Sequence, residues 1–131
     1  PGEFVTINRE WRRGDTLKIS IAMDVRTLSS SDGKTGRIAI QRGPQILALD
    51  KALNPQLEDL SLIGIPLLPS SRPKLSPVET PLPATWYGDQ AYRIEGEYEG
   101  KKQMLILVPF ADAIHYQVWL RQPNGPRGVE N

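Results

Sequence analysis

One stretch of the sequence decides the fold class: Thr16-Leu17-Lys18-Ile19-Ser20-Ile21-Ala22-Met23-Asp24-Val25-Arg26. Its apolar residues recur at every second position, and successive side chains of a β-strand point to opposite faces of a sheet. The alternation therefore predicts a half-buried strand. Its apolar face comprises Leu17, Ile19, Ile21, Met23 and Val25.

The residues before this strand predict a partner for it. Residues 4–9 form a shorter β-prone run, and Arg13-Gly14-Asp15 separates the two runs. Glycine and aspartate tolerate the backbone angles of a tight reversal. We therefore expect a β-hairpin at the start of the chain.

Two further β-prone runs, residues 37–42 and 45–50, flank Gly43-Pro44. Proline cannot donate a hydrogen bond to a ladder, so this dipeptide must be a bulge, a bend or a crossing between sheets. Arg42, Gly43 and Pro44 are accordingly predicted to form a structural corner, in which glycine permits the bend.

A proline-rich segment, residues 53–85, contains seven of the twelve prolines. Such spacing prevents a long helix or a central strand, so the segment is predicted to be mostly irregular. Its apolar residues should pin it over the rest of the domain. These are Leu60, Leu62, Ile63, Ile65, Leu67 and Leu68.

The remaining β-prone runs lie at 90–98, 103–108 and 116–120. Seven or more short strands separated by turn signals predict an all-β fold, an antiparallel β-sandwich with a long proline-rich loop. A chain of 131 residues has room for one domain. We assign it to residues 1–121, followed by a flexible tail at 122–131.

Composition excludes several classes of function. Sixteen basic and fifteen acidic side chains give a net charge of +1, which argues against nucleic acid as a partner. The longest uninterrupted apolar run, residues 104–108, is far too short to span a bilayer, so no membrane partner is expected. With no cysteine and one histidine, we expect no metal site and no cofactor.

Three motifs suggest chemistry, and each has a simpler interpretation. Gly33-Lys34-Thr35 resembles the end of a phosphate-binding loop, but the glycine required five positions earlier is Leu28, so a polar loop is favoured. Glu95, Glu97 and Glu99 have glycosidase-like spacing along a strand, although a solvated acidic face explains them better.

The third motif is His115 with Asp112, which could belong to a catalytic triad. No serine lies nearby in sequence, and the Gly-x-Ser-x-Gly motif is absent. We therefore expect no catalytic role for this pair.

Trp86-Tyr87-Gly88-Asp89 allows two interpretations. The two rings could form a sugar-stacking platform rimmed by Asp89 and Gln90, with Trp119 contributing. Alternatively, Trp86 plugs the end of the domain and its Nε1 donates to a backbone carbonyl. The plug is favoured.

Three segments resemble one known family. They are Gly2-Glu3-Phe4-Val5-Thr6-Ile7-Asn8-Arg9-Glu10-Trp11-Arg12-Arg13-Gly14-Asp15, Ile38-Ala39-Ile40-Gln41-Arg42-Gly43-Pro44-Gln45-Ile46-Leu47-Ala48-Leu49-Asp50, and 107–113 with 116–120. The motif residues are Arg9, Trp11, Gly14 and Asp15, then Arg42, Gly43 and Pro44. The chain resembles the glycoside hydrolase family 127 proteins, bacterial enzymes of the β-L-arabinofuranosidase type.

The resemblance implies that this region is the β-sandwich module that follows an (α/α)6-barrel catalytic domain. The catalytic glutamate and the zinc-bound cysteine of the family lie in that barrel, so no catalytic residue is carried over to this sequence. The absence of cysteine agrees with this. We expect the chain to be part of a longer protein, since it begins with Pro1.

The sequence therefore leaves three hypotheses for the function. The first is a non-catalytic accessory domain that packs against a catalytic domain of the same parent chain. The second is a carbohydrate-binding module that uses Trp86, Tyr87 and Asp89 to contact an oligosaccharide. The third, least favoured, is a self-sufficient hydrolase using the glutamates. The compartment, bacterial cytoplasm or periplasm, is left open.

Overall fold

The computed structural model describes residues 2–29, 36–66 and 72–122. It confirms the all-β, antiparallel fold class, with eight strands in one curled, sandwich-like sheet. The strands are β1 (Val25–Ser29), β2 (Arg37–Arg42), β3 (Gln45–Asp50), β4 (Ser76–Pro77), β5 (Tyr92–Tyr98), β6 (Lys101–Pro109), β7 (Tyr116–Gln117) and β8 (Leu120–Arg121). Three short 3-10 helices lie at Lys51–Leu53, Leu60–Leu62 and Phe110–Asp112.

The main order of the sheet is β1-β2-β3-β6-β5-β4. The last two strands lie off this path, because β7 pairs with β3 while β8 pairs with β2. The proline-rich segment links the far side of the sheet to β8: Gly64 forms bridges to Glu97 of β5 and to Arg121 of β8. The sheet is therefore curled around its core.

The core lies inside this curl. Its largest cluster contains Ile38, Ile40, Leu47, Leu49, Leu57, Ile63, Ile65, Tyr92, Ile94, Leu105, Leu107 and Leu120. Leu57, Ile63 and Ile65 come from the proline-rich segment and are fully buried. The prediction that this segment is pinned by its own apolar residues is thus confirmed for Ile63 and Ile65, whereas Leu62 is exposed. Leu67 and Leu68 lie outside the described residues.

Two buried polar side chains hold the segment that follows β3. The Asp50 carboxylate accepts hydrogen bonds from the backbone N–H groups of Ala52, Ile114 and His115. Asn54 donates through Nδ2 to the carbonyls of Asp50 and Ile106, and its Oδ1 accepts from the Ile106 N–H. Buried polar groups are tolerated when they are paired in this way.

Two tight turns connect neighbouring strands. Gly43-Pro44 joins β2 to β3 with Arg42 paired to Gln45, so the corner is a bend within one sheet rather than a bulge or a crossing between sheets. Gly43 has a φ of +54°, which the absence of a side chain permits. Glu99-Gly100 joins β5 to β6, and both residues have positive φ, as in the hairpin turns whose twist matches the strands.

The predicted N-terminal β-hairpin is not formed, because neither residues 4–9 nor residues 17–24 belong to a strand; only the turn between the two runs is present. Asp15 N donates to the carbonyl of Arg12 at 3.0 Å, which confirms the reversal. The long strand is wrong in extent, because β1 begins at Val25 and residues 17–24 belong to no strand. Leu17, Ile19 and Ile21 are exposed. Alternation reports an apolar face, but burial also requires a second surface, and the described residues place none there.

No helix of the described residues is long and apolar enough to cross a membrane.

Candidate functional site

The loop containing Trp86 and Tyr87 begins where the proline-rich segment ends. Trp86 N donates to the carbonyl of Pro83 at 2.8 Å, and its partly buried indole packs against a small cluster. The buried members of that cluster are Leu53, Ala91 and Val108. Trp86 therefore contributes to the packing of the domain, although its indole is only partly buried.

One detail of the plug prediction is wrong. Trp86 Nε1 is buried but has no hydrogen-bond partner among the described residues, so it does not donate to a backbone carbonyl. A buried unpaired donor costs free energy, which makes the indole a less stabilising plug than expected.

The side chains of Tyr87 and Asp89, unlike that of Trp86, project into solvent. Tyr87 is 97% exposed, and Asp89 is also exposed. Gly88 lies against Asp112: a Cβ atom at Gly88 would be 2.4 Å from Asp112 Oδ2 and 3.1 Å from Trp86 Nε1. This close approach places the loop beside the 3-10 helix Phe110–Asp112, and a side chain at residue 88 would require the Asp112 carboxylate to move.

The same end of the sheet carries aromatic residues that sequence reasoning missed. Phe110 and Tyr116 pack edge to face with ring centroids 4.8 Å apart, and both are about half exposed. Ile114, between them in sequence, is exposed as well. The sequence does show large apolar residues after Pro109 that no strand periodicity explains, and these could have indicated an exposed apolar surface. We call Tyr87, Phe110, Ile114 and Tyr116 the aromatic end.

The Arg-x-Trp-x-x-Gly-Asp motif forms one compact turn. Arg9 Nη2 lies 3.1 Å from Asp15 Oδ2, which also accepts a 2.8 Å hydrogen bond from the Arg12 N–H. The Arg9 guanidinium lies 4.8 Å from the centroid of the Trp11 ring, a cation–π distance. Gly14 has a φ of +93°. Each motif residue therefore has a structural task in the reversal.

The Arg-Gly-Pro motif is structural in the same sense. Arg42 lies over the ring of Tyr92 on β5, 4.9 Å from its centroid. Gln41 Nε2 donates to the carbonyl of Gly43 at 2.8 Å, and the Gly43 N–H donates to the carbonyl of Asp24 at 2.8 Å. The corner thereby connects β2 to the residue just before β1.

Within the described residues, no hydrogen bond joins one candidate catalytic side chain to another. Glu95 is exposed and lies 3.4 Å from Lys102, Glu97 is half-buried, and Glu99 lies in the turn after β5. His115 is exposed, and its contact with Asp50 is made by its backbone N–H. Within the described ranges, no three His, Cys, Asp or Glu side chains could together hold a metal ion. Residues 33–35 lie outside those ranges.

One carboxyl group has a shifted pKa. The Asp59 pKa lies below its ordinary value because the Ser61 hydroxyl and the Ser61 backbone N–H both donate to its Oδ1, with a further contribution from Arg37. Asp59 caps the 3-10 helix Leu60–Leu62, so this shift reflects capping.

No protein-family model matches the chain, and no curated protein sequence matches it either.

Proposed function

We propose that this chain is a non-catalytic accessory domain of a bacterial glycoside hydrolase, and that it packs against an (α/α)6-barrel catalytic domain of the same parent protein. The proposal rests on the resemblance of residues 2–15, 38–50, 107–113 and 116–120 to family 127 proteins. It is supported by one structural observation, the exposure of many large apolar side chains in the N-terminal segment.

The exposed large apolar residues of the N-terminal segment are Phe4, Val5, Ile7, Trp11, Leu17, Ile19 and Ile21. Contiguous exposed apolar patches of more than a few hundred Å² are uncommon on monomers and mark surfaces that meet another partner. The same segment contains the first motif of the resemblance, so the exposed apolar residues lie in a part of the chain that resembles the family.

A dye-binding experiment tests whether this surface is accessible in solution. The isolated chain should enhance the fluorescence of anilinonaphthalene sulfonate, and the triple variant Phe4→Ser, Ile19→Ser, Ile21→Ser should lose most of that signal at an unchanged melting temperature. The matched control Lys18→Ala, Ser20→Ala alters polar residues of the same segment and should leave the signal unchanged. Undiminished dye binding by the triple variant would contradict the surface assignment.

The parent protein tests the partner. The complete coding frame should encode an all-helical barrel in the same chain, and the two parts, purified separately, should associate through the N-terminal segment. A frame that encodes no such barrel would refute the proposal. The isolated chain should release no nitrophenol from aryl arabinofuranosides, and measurable release would favour the hydrolase alternative.

The second candidate, a carbohydrate-binding module, is favoured by the almost complete exposure of the Tyr87 ring. Exposed aromatic faces stack on the apolar face of a sugar ring. The partial burial of Trp86 makes it a poor stacking partner, so Tyr87 would carry the interaction together with Asp89. Saturable binding of an arabinan oligosaccharide that disappears in a folded Tyr87→Ala variant would establish this function instead.

A further inference from the structure

The exposed side of β4, β5 and β6 carries a depression of about 310 Å³. It is lined by Lys74, Ser76, Arg93, Ile94, Glu95 and Met104. Its volume is at the lower end of the range for small-molecule pockets, which suits a ligand of one or two rings.

Two cations in this depression have no carboxylate partner within the described residues. Among the described residues, ion pairs form between Arg9 and Asp15 and between Lys102 and Glu95. Glu95, the one acidic lining residue, is thus already beside Lys102. Lys74 and Arg93 consequently leave the depression with excess positive charge.

The strand register concentrates these groups. Ser76 pairs directly with Arg93, so a hydroxyl and a guanidinium stand side by side on neighbouring strands. Glu95 pairs with Met104, which is 55% exposed and gives the depression an apolar side. An exposed methionine is a soft, adaptable surface for an apolar group.

We propose that this depression binds the carboxylate of a small ligand whose apolar part lies on Met104. A guanidinium presents two parallel N–H groups that match the two oxygens of a carboxylate, and Lys74 and Ser76 add donors to the same anion. A uronic acid residue and a short aliphatic acid both combine a carboxylate with an apolar surface. The inference is independent of the accessory-domain proposal, because none of the lining residues belongs to the N-terminal segment.

Titrations followed by backbone amide NMR test the site. The probes are digalacturonate and hexanoate, each matched by an uncharged counterpart, the digalacturonate methyl ester and hexanamide. We expect saturable shifts confined to residues 74–76, 93–95 and 104 with at least one charged probe, and none with its uncharged counterpart. The charged probe that saturates identifies the source of the carboxylate.

Variants separate a specific site from general attraction to a basic surface. Arg93→Gln and Lys74→Gln should each weaken binding about tenfold or more, because each removes a charge-assisted hydrogen bond. Arg26→Gln removes an exposed cation from β1 and should change nothing. The proposal is overturned if neither charged probe saturates, if the uncharged counterparts bind equally well, or if Arg26→Gln weakens binding as much as Arg93→Gln.

Discussion

Replacing Asn54 with alanine should destabilise the domain by about 3 kcal/mol, which is large for the removal of one amide group. The Asn54 side chain is fully buried and makes three hydrogen bonds, all at 2.9 Å, to the carbonyls of Asp50 and Ile106 and to the N–H of Ile106. Each net hydrogen bond contributes about 1 kcal/mol, and the partners left behind are backbone groups that water cannot readily reach.

The expected loss can be measured by thermal unfolding. For a chain of this length, 1 kcal/mol corresponds to roughly 4 °C in melting temperature, so Asn54→Ala should melt about 12 °C below the unmodified protein. The matched control is Asn8→Ala, which removes the same group from an exposed position and should leave the melting temperature within about 1 °C. A fall of less than about 4 °C for Asn54→Ala would refute the assignment of three hydrogen bonds to this side chain.

Three further perturbations follow from the geometry. Gly43→Val should cost about 1–3 kcal/mol in denaturant unfolding, because φ is +54° and the new Cβ would lie 2.6 Å from the sulfur of Met23 and 3.3 Å from its Cα; an unchanged midpoint would contradict the corner. Trp86→Ala should lower the free energy of unfolding by about 2–3 kcal/mol, less than the loss of a fully buried indole would. Oligosaccharides of arabinan or xylan should not change the tryptophan fluorescence of the unmodified chain. Quenching that disappears in the variant would favour sugar binding. Carbon-detected NMR should show the Asp59 carboxyl titrating below the ordinary aspartate range. Any stability that this carboxylate contributes is therefore present at neutral pH and lost as the pH falls through the lowered pKa. Ser61→Ala should raise the Asp59 pKa, and an unchanged pKa would exclude Ser61 as the cause of the shift.

The sequence predicted the paired strands well where both local pattern and turn chemistry agreed. The runs at 37–42 and 45–50 became β2 and β3, and Gly43-Pro44 became the bend between them. Residues 90–98 and 103–108 correspond to β5 and β6, which are joined by the turn at Glu99-Gly100. In these elements, alternation and turn residues are local properties that tertiary contacts did not override.

The features that escaped prediction depend on contacts between distant residues. Asn54 looks like an ordinary loop residue in sequence, and only the approach of Ile106 makes it a buried structural group. The pairing of Gly64 with Glu97 and Arg121 likewise has no local signature. The aromatic end is assembled from separate loops, so neither the edge-to-face pair of Phe110 and Tyr116 nor its proximity to the loop of Tyr87 could be read from spacing.

The sequence indicated which residues belong to the candidate site, but not which way their side chains point. Adjacent aromatic residues after a proline-rich segment indicated that Trp86 and Tyr87 had some role. Only the structure shows that one ring packs inward and the other projects into solvent. The carboxylate-binding depression has no sequence motif, because the sheet register aligns Ser76 with Arg93 and Glu95 with Met104, while Lys74 lies two residues before β4.

The bridges made by Gly64 have a consequence for the order in which the molecule folds. Gly64 exchanges backbone hydrogen bonds with Glu97, and the Ile65 N–H donates to the carbonyl of Arg121 near the end of the described chain. Contacts between residues so distant in sequence slow folding, because the chain entropy of the intervening loops is lost before the contacts form. The backbone pairing of this central segment can therefore be completed only after residue 121 has been synthesised. A chain that ends before Leu120 would lose the backbone hydrogen bonds between Arg121 and residues 63 and 65, together with the buried Leu120 side chain.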